Sequence, residues 1–336
     1  MTVAIVILNW NGFAHLRTYL PSVVQHSSGA RIIVADNGST DNSREALTPF
    51  PAVEWLSLDR NYGFTGGYNR ALAQVEADVY VLLNSDVRVT AGWLQAPLSR
   101  LRHHGEVAAV QPKILADARP TQFEYAGACG GYLDALGYPY CRGRIFDQVE
   151  QDHGQYDDAR PIDWASGACC FVRASSWHEL GGFDESFFAH MEEIDLCWRM
   201  RRAGHEVWVE PGSTVHHLGG GTLAYASPNK TYLNFRNSLA SLVRNETGLT
   251  RWLKLLARLA LDGLAGLKFL VAGEPSHTWA ILRAHGAFYG RLSAVLQHRH
   301  VPQIQGKATS CGPVKSILWQ FYVRGQKTFS HLTREK

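Results

Sequence analysis

Near its start the chain reads Val3-Ala4-Ile5-Val6-Ile7-Leu8-Asn9-Trp10-Asn11-Gly12. Six consecutive aliphatic residues are typical of a strand that is buried on both faces of a parallel sheet. The polar residues 9–12 end this strand, and residues 13–25 then space their leucines and valines at helical intervals. The opening segment therefore predicts a strand, a loop and a helix, which begin a βαβ unit.

Three more apolar runs repeat this pattern along the first half of the chain. They cover residues 31–35, 54–58 and 78–83, and a polar segment follows each of them. The alternation predicts an α/β fold with a Rossmann-like, mostly parallel central sheet flanked by helices. Because ligands bind such sheets at the carboxyl ends of the strands, we expect functional residues in these polar segments.

Two of the strand ends carry acidic residues, and each acid has alternative roles. Asp36 either accepts the N3–H of a uracil or thymine ring or serves as a turn and capping residue. Residues 84–86 follow the fourth strand, where Asp86 is either a metal ligand or an acid of a surface turn. A metal role is chemically reasonable because Mg²⁺ and Mn²⁺ bind a few carboxylates together with substrate phosphates.

Glycine-rich segments occur at two places in the chain. Gly63, Gly66 and Gly67 precede a predicted helix at residues 71–75 and would allow a diphosphate or ribose to approach the backbone. No Gly-Lys-Ser/Thr follows, so this is not a P-loop, and the first βα turn lacks the G-x-G-x-x-G dinucleotide fingerprint. Residues 219–222 are expected to form a flexible loop that closes over the diphosphate.

Residues 187–199 combine aromatic side chains with three closely spaced acids. On a helix, Glu192 and Asp195 would share one face, whereas Glu193 would point elsewhere, near Cys197. Such acids either begin a helix whose dipole favours them or belong to an active site. Together with Asp86 they form a candidate active site.

Several motifs resemble those of the family 2 glycosyltransferases with a GT-A fold, especially the bacterial rhamnosyltransferase-like branch. They occur in the family's order over most of the first 240 residues, at positions 6–12, 34–41, 82–86, 166–168, 181–188, 192–197 and 215–217. The resemblance implies an inverting, metal-dependent transfer of a sugar from a UDP- or dTDP-linked donor to an acceptor hydroxyl. The acceptor would be a saccharide or a lipid-linked saccharide in bacterial polysaccharide or glycolipid assembly.

The resemblance also implies roles for individual residues. Asp36 would hold the nucleotide base, and Asp86 would bind a divalent cation, Mg²⁺ or Mn²⁺, with His216 or His217 as a further ligand. Asn84 stands where the family often has the first acid of Asp-x-Asp, so Asp86 is left as the one acidic ligand.

The general base of the family is typically the Asp of a Glu-Asp pair, and this chain has the longer Glu193 there. Glu193 is therefore the first choice for the base, Glu192 the second, and Asp195 a helper or a helix anchor. The residues expected at the nucleotide-sugar site are Asn9, Asn11, Asp36, Asn61, Gly66, Asn69, Asn84 and Ser85.

The acceptor side is expected to include Gly167 and Trp164, which either stacks on a sugar ring or lies in the core. Residues 121–160 show poor periodicity and are interpreted as a long, partly mobile insertion near the acceptor. Arg236 and Arg244 lie on a predicted helix and would be available to phosphate.

Composition limits the partners of this 336-residue chain. A formal net charge of +3 is too small to indicate nucleic acid. We predict a transferase domain at residues 1–245 and a helical region at residues 246–336. Its basic amphipathic pattern suits a membrane surface, a helix packed on the transferase domain or a homodimer contact. No leader segment is recognised, so a cytoplasmic protein, peripheral on the inner face of the membrane, is expected.

Two other functions fit part of the pattern. A sugar nucleotidyltransferase has a similar sheet, but it would need a glycine-rich, basic first loop, which residues 9–12 do not provide. A non-catalytic nucleotide- or carbohydrate-binding protein would explain the departures at Asn84 and Glu193.

Overall fold

The computed structural model describes residues 1–219, 227–297 and 310–333. Of the loop expected at residues 219–222, all but Gly219 lies outside the described residues. The strands of the described residues are β1 (Val3–Asn9), β2 (Arg31–Asp36), β3 (Glu54–Ser57), β4 (Val79–Asn84), β5 (Val87–Val89), β6 (Val107–Ala116), β7 (Arg119–Phe123), β8 (Gly131–Leu133), β9 (Pro139–Cys141), β10 (Arg144–Ile145), β11 (Gln148–Val149), β12 (Arg160–Ile162), β13 (Cys169–Arg173) and β14 (Glu206–His217).

Helices cover both faces of the main sheet and dominate the last third of the chain. They are α1 (Phe13–His26), α2 (Gly63–Leu72), α3 (Gln95–His103), α4 (Ala174–Glu179), α5 (Glu192–Arg202), α6 (Pro228–Asn245), α7 (Gly248–Val271), α8 (Pro275–Gly290), α9 (Leu292–Gln297) and α10 (Phe329–Thr333). Short 3₁₀ helices occur at Ser43–Leu47 and Glu185–Phe187, and a π-helical turn at Trp319–Val323.

The main sheet has the strand order β12-β14-β6-β13-β4-β1-β2-β3. The four strands predicted from apolar runs, β4, β1, β2 and β3, are neighbours and run parallel. Successive β1 residues pack into two apolar clusters on opposite faces of the sheet, for example Val6 on one face and Ile5 on the other. Because both faces of the strand are buried, its sequence is aliphatic without interruption. The predicted α/β fold with a mostly parallel sheet is confirmed.

Two local predictions were wrong. Helix α2 begins at Gly63 rather than at residue 71, so the glycine-rich segment is itself helical. Close packing explains one of its glycines, because a Cβ at Gly67 would lie 2.8 Å from Leu8 Cδ1. The irregular insertion expected at residues 121–160 instead contains a four-stranded antiparallel sheet, β11-β10-β9-β8, whose tyrosines are buried.

The C-terminal part of the chain packs on the rest at two places. Helices α7 and α8 lie against α6, and residues 310–333 lie against the small sheet. Phe329 is buried there, with its ring 5.5 Å from Tyr132 and 5.6 Å from Tyr156. None of the described helices is both long and apolar enough to cross a membrane. A domain division at residue 245 stays a prediction.

Helix α6 holds the segment that leads into α5. Asn237 Nδ2 donates to three backbone carbonyls at 2.8–3.1 Å, those of Phe187, Ala189 and His190. Three residues of this segment have φ of 67–71°: Phe188, His190 and Met191. Residues other than glycine rarely adopt such left-handed conformations, because they raise the free energy of the folded chain. The hydrogen bonds from α6 offset this cost.

Asp195 joins α5 to α6 from a fully buried position. Its carboxylate accepts hydrogen bonds from Arg199 Nε at 2.8 Å, Arg244 Nη1 at 3.2 Å and Asn245 Nδ2 at 3.0 Å. This geometry favours the anchor over the helper among the two roles expected for Asp195.

The expectation that Arg236 and Arg244 are available to phosphate was wrong. Arg236 Nη2 donates to the carbonyls of Ser186 and Phe187 at 3.0 and 2.9 Å. Arg244 pairs with Asp184 as well as with Asp195. Both guanidinium groups therefore hold in place the segment of chain that leads into α5.

Substitution Asp195→Asn should lower the free energy of unfolding by about 3–5 kcal/mol, because it leaves two buried guanidinium groups short of negative charge. Urea unfolding followed by circular dichroism measures the change. The matched control is Glu54→Gln, which breaks an ion pair with Arg31 whose side chains are about half exposed and should cost less than about 1 kcal/mol. Equal effects of the two substitutions would contradict the anchoring role.

Candidate active site

The parallel strands bring the predicted polar residues to one edge of the sheet. Asn9 pairs in register with Asp36 at the ends of β1 and β2, and Leu8 pairs with Asn84 at the end of β4. Asn9 Nδ2 donates to Asp36 Oδ1 at 3.1 Å, whereas the buried Asn9 Oδ1 has no hydrogen-bond partner among the described residues. This edge therefore offers an unused acceptor beside a buried carboxylate.

Hydrogen bonds fasten the loops at this edge to one another. Asn11 Oδ1 accepts from Thr40 N at 2.8 Å, which links the loop after β1 to the loop after β2. Asn61 Oδ1 accepts from Asn37 Nδ2 at 3.1 Å and from Gly63 N at 2.8 Å. Asn11 and Asn61 therefore shape the loops at this edge, and their contact with the nucleotide-sugar stays a prediction.

The amino end of α2 is closed by a carbonyl from a distant segment. Phe188 O accepts from Phe64 N at 2.8 Å and from Thr65 N at 3.2 Å. Gly63 makes this approach feasible, since its φ is +73° and a Cβ would lie 2.5 Å from Phe188 Cδ2. These helix N–H groups are therefore already bonded and are not free to cradle a diphosphate.

Two residues predicted to bind the nucleotide-sugar lie farther along α2, where each contacts other residues of the chain. Asn69 exchanges hydrogen bonds with the backbone of Phe183, at 2.9 and 3.0 Å, so both ends of its amide are occupied. Gly66 faces the side chains of Tyr62 and Arg70. A contact of Gly66 or Asn69 with the nucleotide-sugar stays a prediction.

Asp86 and His217 form a buried polar pair near the end of β4. His217 Nε2 lies 3.2 Å from Asp86 Oδ1 and 3.4 Å from Asn84 Nδ2, and Nδ1 lies 3.4 Å from Glu124 Oε2. Burial alone would lower the pKa of His217, but the two carboxylates outweigh it and raise the pKa to about 10. Burial opposes ionisation of Asp86, yet the hydrogen bond with His217 lowers the pKa of that carboxyl overall.

His216 does not join this pair, because consecutive side chains of a strand point to opposite faces. Burial lowers the pKa of His216, and the positive charge of nearby Arg88 lowers it further. Ser85 lies beside Asn84, with its Oγ 3.6 Å from the position of a Cβ on Gly12. In the part of the chain that the structure describes, no three His, Cys, Asp or Glu side chains form a ready-made metal site.

Glu192 and Glu193 are adjacent acids at the start of α5, each with an Oε2 atom that is buried and has no hydrogen-bond partner in the described residues. Burial raises the pKa of Glu193 to about 7. Burial and the charge of Glu193 raise the pKa of Glu192 well above its ordinary value. Glu192 is almost fully covered, whereas Glu193 keeps partial exposure, so Glu193 is the more accessible proton acceptor.

Gly167 and Trp164, expected on the acceptor side, lie in different environments. A Cβ on Gly167 would lie 3.9 Å from Glu193 Cβ, so this glycine borders the acid pair. Trp164 is 4% exposed, its Nε1 donates to Tyr132 O at 3.1 Å, and Gly131 packs on its ring. Of the two roles expected for Trp164, the structure therefore favours a core residue over stacking on a sugar ring.

Sequence reasoning missed two charged residues at the site. Glu124 follows β7 inside the segment interpreted as an irregular insertion, so its burial beside His217 had no sequence signal. Lys230 begins α6, where the periodicity predicted only a helix. Burial lowers the pKa of Lys230, and the negative charges of Glu124 and Glu193 oppose that shift.

Comparison with known proteins agrees with this geometry. Residues 4–147 match the model of the family described as Glycosyl transferase family 2. Rhamnosyltransferase WbbL of Escherichia coli K12 is 36% identical over 222 residues, which cover 64% of this chain and 83% of WbbL. The N-acetylglucosaminyl-diphospho-decaprenol L-rhamnosyltransferase of Mycobacterium tuberculosis is 27% identical over 235 residues, or 65% of this chain and 76% of that protein.

A solved structure of GalNAc-T7 with UDP, GalNAc and Mn²⁺ has a similar fold, with a TM-score of 0.55 and 14% sequence identity. The match covers 72% of this chain and 47% of the other, so the chain spans about half of that protein. Fold and site together define a glycosyltransferase with a GT-A fold. The chain belongs to glycosyl transferase family 2, with rhamnosyltransferase-like relatives, and is an enzyme of polysaccharide or glycolipid biosynthesis.

Proposed function

We propose that this enzyme transfers a sugar, with inversion, from a UDP- or dTDP-linked donor to a hydroxyl of a lipid-linked saccharide, using Mg²⁺ or Mn²⁺. One observation carries the proposal, the meeting of two functional groups at one sheet edge. Asn84 N donates to Ala168 O at 3.0 Å, and the neighbouring Gly167 borders Glu193. These contacts connect the strand end that precedes Asp86 to the glycine beside Glu193, which supports a shared site.

Asp86 and His217 fit a cation shared with the donor diphosphate. Two adjacent ligands of an octahedral ion at roughly 2.1 Å lie about 3 Å apart, close to the 3.2 Å between Asp86 Oδ1 and His217 Nε2. A site with two protein ligands suits Mg²⁺ and Mn²⁺, which complete their shells with phosphate oxygens and water. Such a cation would stabilise charge on the departing nucleoside diphosphate.

Glu193 supplies the general base of the proposed reaction. The acceptor oxygen forms a bond to the anomeric carbon, the bond from that carbon to the diphosphate oxygen breaks, and the hydroxyl proton passes to Glu193. This single displacement needs one base and no covalent nucleophile, unlike a retaining glycosidase. A base with a pKa near neutrality suits the transfer, because proton acceptors work best when their pKa is close to the working pH.

Asp36 supports the choice of a pyrimidine nucleotide. Its carboxylate already accepts three hydrogen bonds, from Asn9 Nδ2 at 3.1 Å, Ser39 N at 3.2 Å and Ser39 Oγ at 2.5 Å. An ionised carboxyl has about four acceptor sites, which leaves capacity for the N3–H of uracil or thymine. Since two relatives are named rhamnosyltransferases, a dTDP- or UDP-linked rhamnose is the first donor to test.

Nucleotide release from UDP-, dTDP- and GDP-sugars, with Mn²⁺ or Mg²⁺, tests the donor and the metal together. Asp86→Ala should reduce the rate by at least about 10²-fold, because the diphosphate loses its charge stabilisation, and EDTA should do the same to the wild type. Asp147→Ala, which removes an exposed acid of the small sheet, is the control and should be nearly neutral. Full turnover in EDTA would overturn the metal requirement.

Glu193→Gln should lower kcat by roughly 10²–10⁴-fold while donor affinity stays close to that of the wild type. Burial raises the pKa of Glu193 to about 7, so the base is protonated and inactive at lower pH. The wild-type rate should therefore rise with pH until about 7 and then level off. Glu192→Gln is the matched comparison, and a larger loss there, or a flat pH profile in the wild type, would reject Glu193 as the base.

We also propose that helix α7 places the enzyme on an anionic membrane surface. Six large apolar side chains recur at helical spacing and are 55–82% exposed: Leu249, Leu253, Leu256, Leu264, Leu267 and Val271. Residues 246–336 contain 13 Lys and Arg against 4 Asp and Glu. A basic segment with an exposed apolar stripe suits the lipid interface, where a lipid-linked acceptor would be held.

Co-sedimentation of the full chain with phosphatidylglycerol-containing vesicles tests this surface. The double substitution Leu253→Gln and Leu267→Gln should weaken vesicle binding by more than about tenfold, because each buried leucine contributes roughly 1.5–3 kcal/mol. Leu218→Gln changes an exposed leucine outside the stripe and serves as the control. The homodimer contact would be favoured instead if the wild-type chain does not bind the vesicles but forms a dimer, and if the double substitution dissociates that dimer.

A further inference from the structure

Glu124 is a buried carboxylate on the far side of His217 from Asp86. It is 3% exposed, and its Oε2 accepts a hydrogen bond from Ala126 N. The same oxygen lies 3.4 Å from His217 Nδ1, slightly beyond the usual range of an N–H···O bond. Nδ1 forms no hydrogen bond with any described residue, and Glu124 is the carboxylate that faces it.

The two nitrogens of His217 face different surroundings. Nε2 lies near Asp86 Oδ1 and near Asn84 Nδ2, an amide that can only donate. A nitrogen that binds a cation must present a lone pair, and the proton of a neutral imidazole then resides on the other nitrogen. That proton would lie on Nδ1, on the side of the ring that faces Glu124.

We propose that Glu124 is a positioning residue for the cation site, in addition to the function proposed above, on which this inference rests. Glu124 accepts the Nδ1 proton of His217 and thereby fixes both the tautomer and the orientation of the ring. Nε2 is then directed to the space beside Asp86. A carboxylate behind a metal-binding histidine commonly raises metal affinity in this way. Glu124 itself touches neither the cation nor the donor.

A purely structural role for Glu124 makes a different prediction. Its bond to Ala126 N belongs to the loop after β7, and loss of that bond alone would change stability without a specific effect on metal affinity. Measurement of metal binding, rather than turnover, separates the two roles.

The test is the affinity of the full chain for Mn²⁺ in the presence of saturating UDP, measured from the electron paramagnetic resonance signal of free Mn²⁺. Glu124→Ala should weaken Mn²⁺ binding by about 10–100-fold. Glu124→Gln should restore most of the affinity, since an amide oxygen still accepts the Nδ1 proton. When His217 is already replaced by Ala, adding Glu124→Ala should reduce Mn²⁺ affinity little further, because both substitutions remove the same Glu124–His217 interaction.

UDP affinity in EDTA is the control for folding and should be the same in all variants. Mn²⁺ affinity of Glu124→Ala within about twofold of the wild type would overturn the inference, as would losses that add in the double variant. If Glu124→Ala fails to fold, the comparison of Glu124→Gln with and without His217→Ala decides the same question. Wild-type chain that binds UDP but no Mn²⁺ would overturn the metal role of the proposed function and this inference with it.

Discussion

The buried carboxylate of Asp195 is the constraint on which the geometry of the site depends. It receives hydrogen bonds from two arginines and an asparagine, and it lies where α5 meets α6. A buried charge is tolerated only when partners compensate it, so the two helices must meet in this one arrangement. The acids that begin α5, Glu192 and Glu193, take their positions from that meeting, although they belong to none of its hydrogen bonds.

The site combines two principles of construction. The donor side uses the regular register of parallel strands, which brings Asn9, Asp36 and Asn84 to one edge without special loops. The acceptor side uses irregular backbone, where several non-glycine residues adopt positive φ and Asn237 holds them in place. Rigid strand ends suit a diphosphate site, whereas the strained segment leads to two acids that each keep one buried oxygen without a hydrogen-bond partner in the described residues.

Sequence patterns predicted the first half of the fold well, because long aliphatic runs such as residues 3–8 leave few alternatives to buried parallel strands. They also predicted that Asp86, Glu193 and either His216 or His217 belong to one site, through motifs whose order matched a known family. The small sheet of residues 131–149 was missed because its strands of two and three residues are too short to show a period. Glu124 was missed with it, and Arg236 and Arg244 were assigned to phosphate because long-range hydrogen bonds leave no local trace in the sequence.

The contact of Phe188 with the amino end of α2 has a consequence for how this enzyme can diversify. The carbonyl of Phe188 accepts hydrogen bonds from the first N–H groups of α2, and a side chain at position 63 would collide with the Phe188 ring. The loop before α2 and the segment before Glu192 and Glu193 therefore pack against each other. A sequence change in either segment alters the shape that the other must match. The proposed donor site and the proposed general base are therefore not separate modules, and positions 63 and 188 should vary together across relatives that retain this contact.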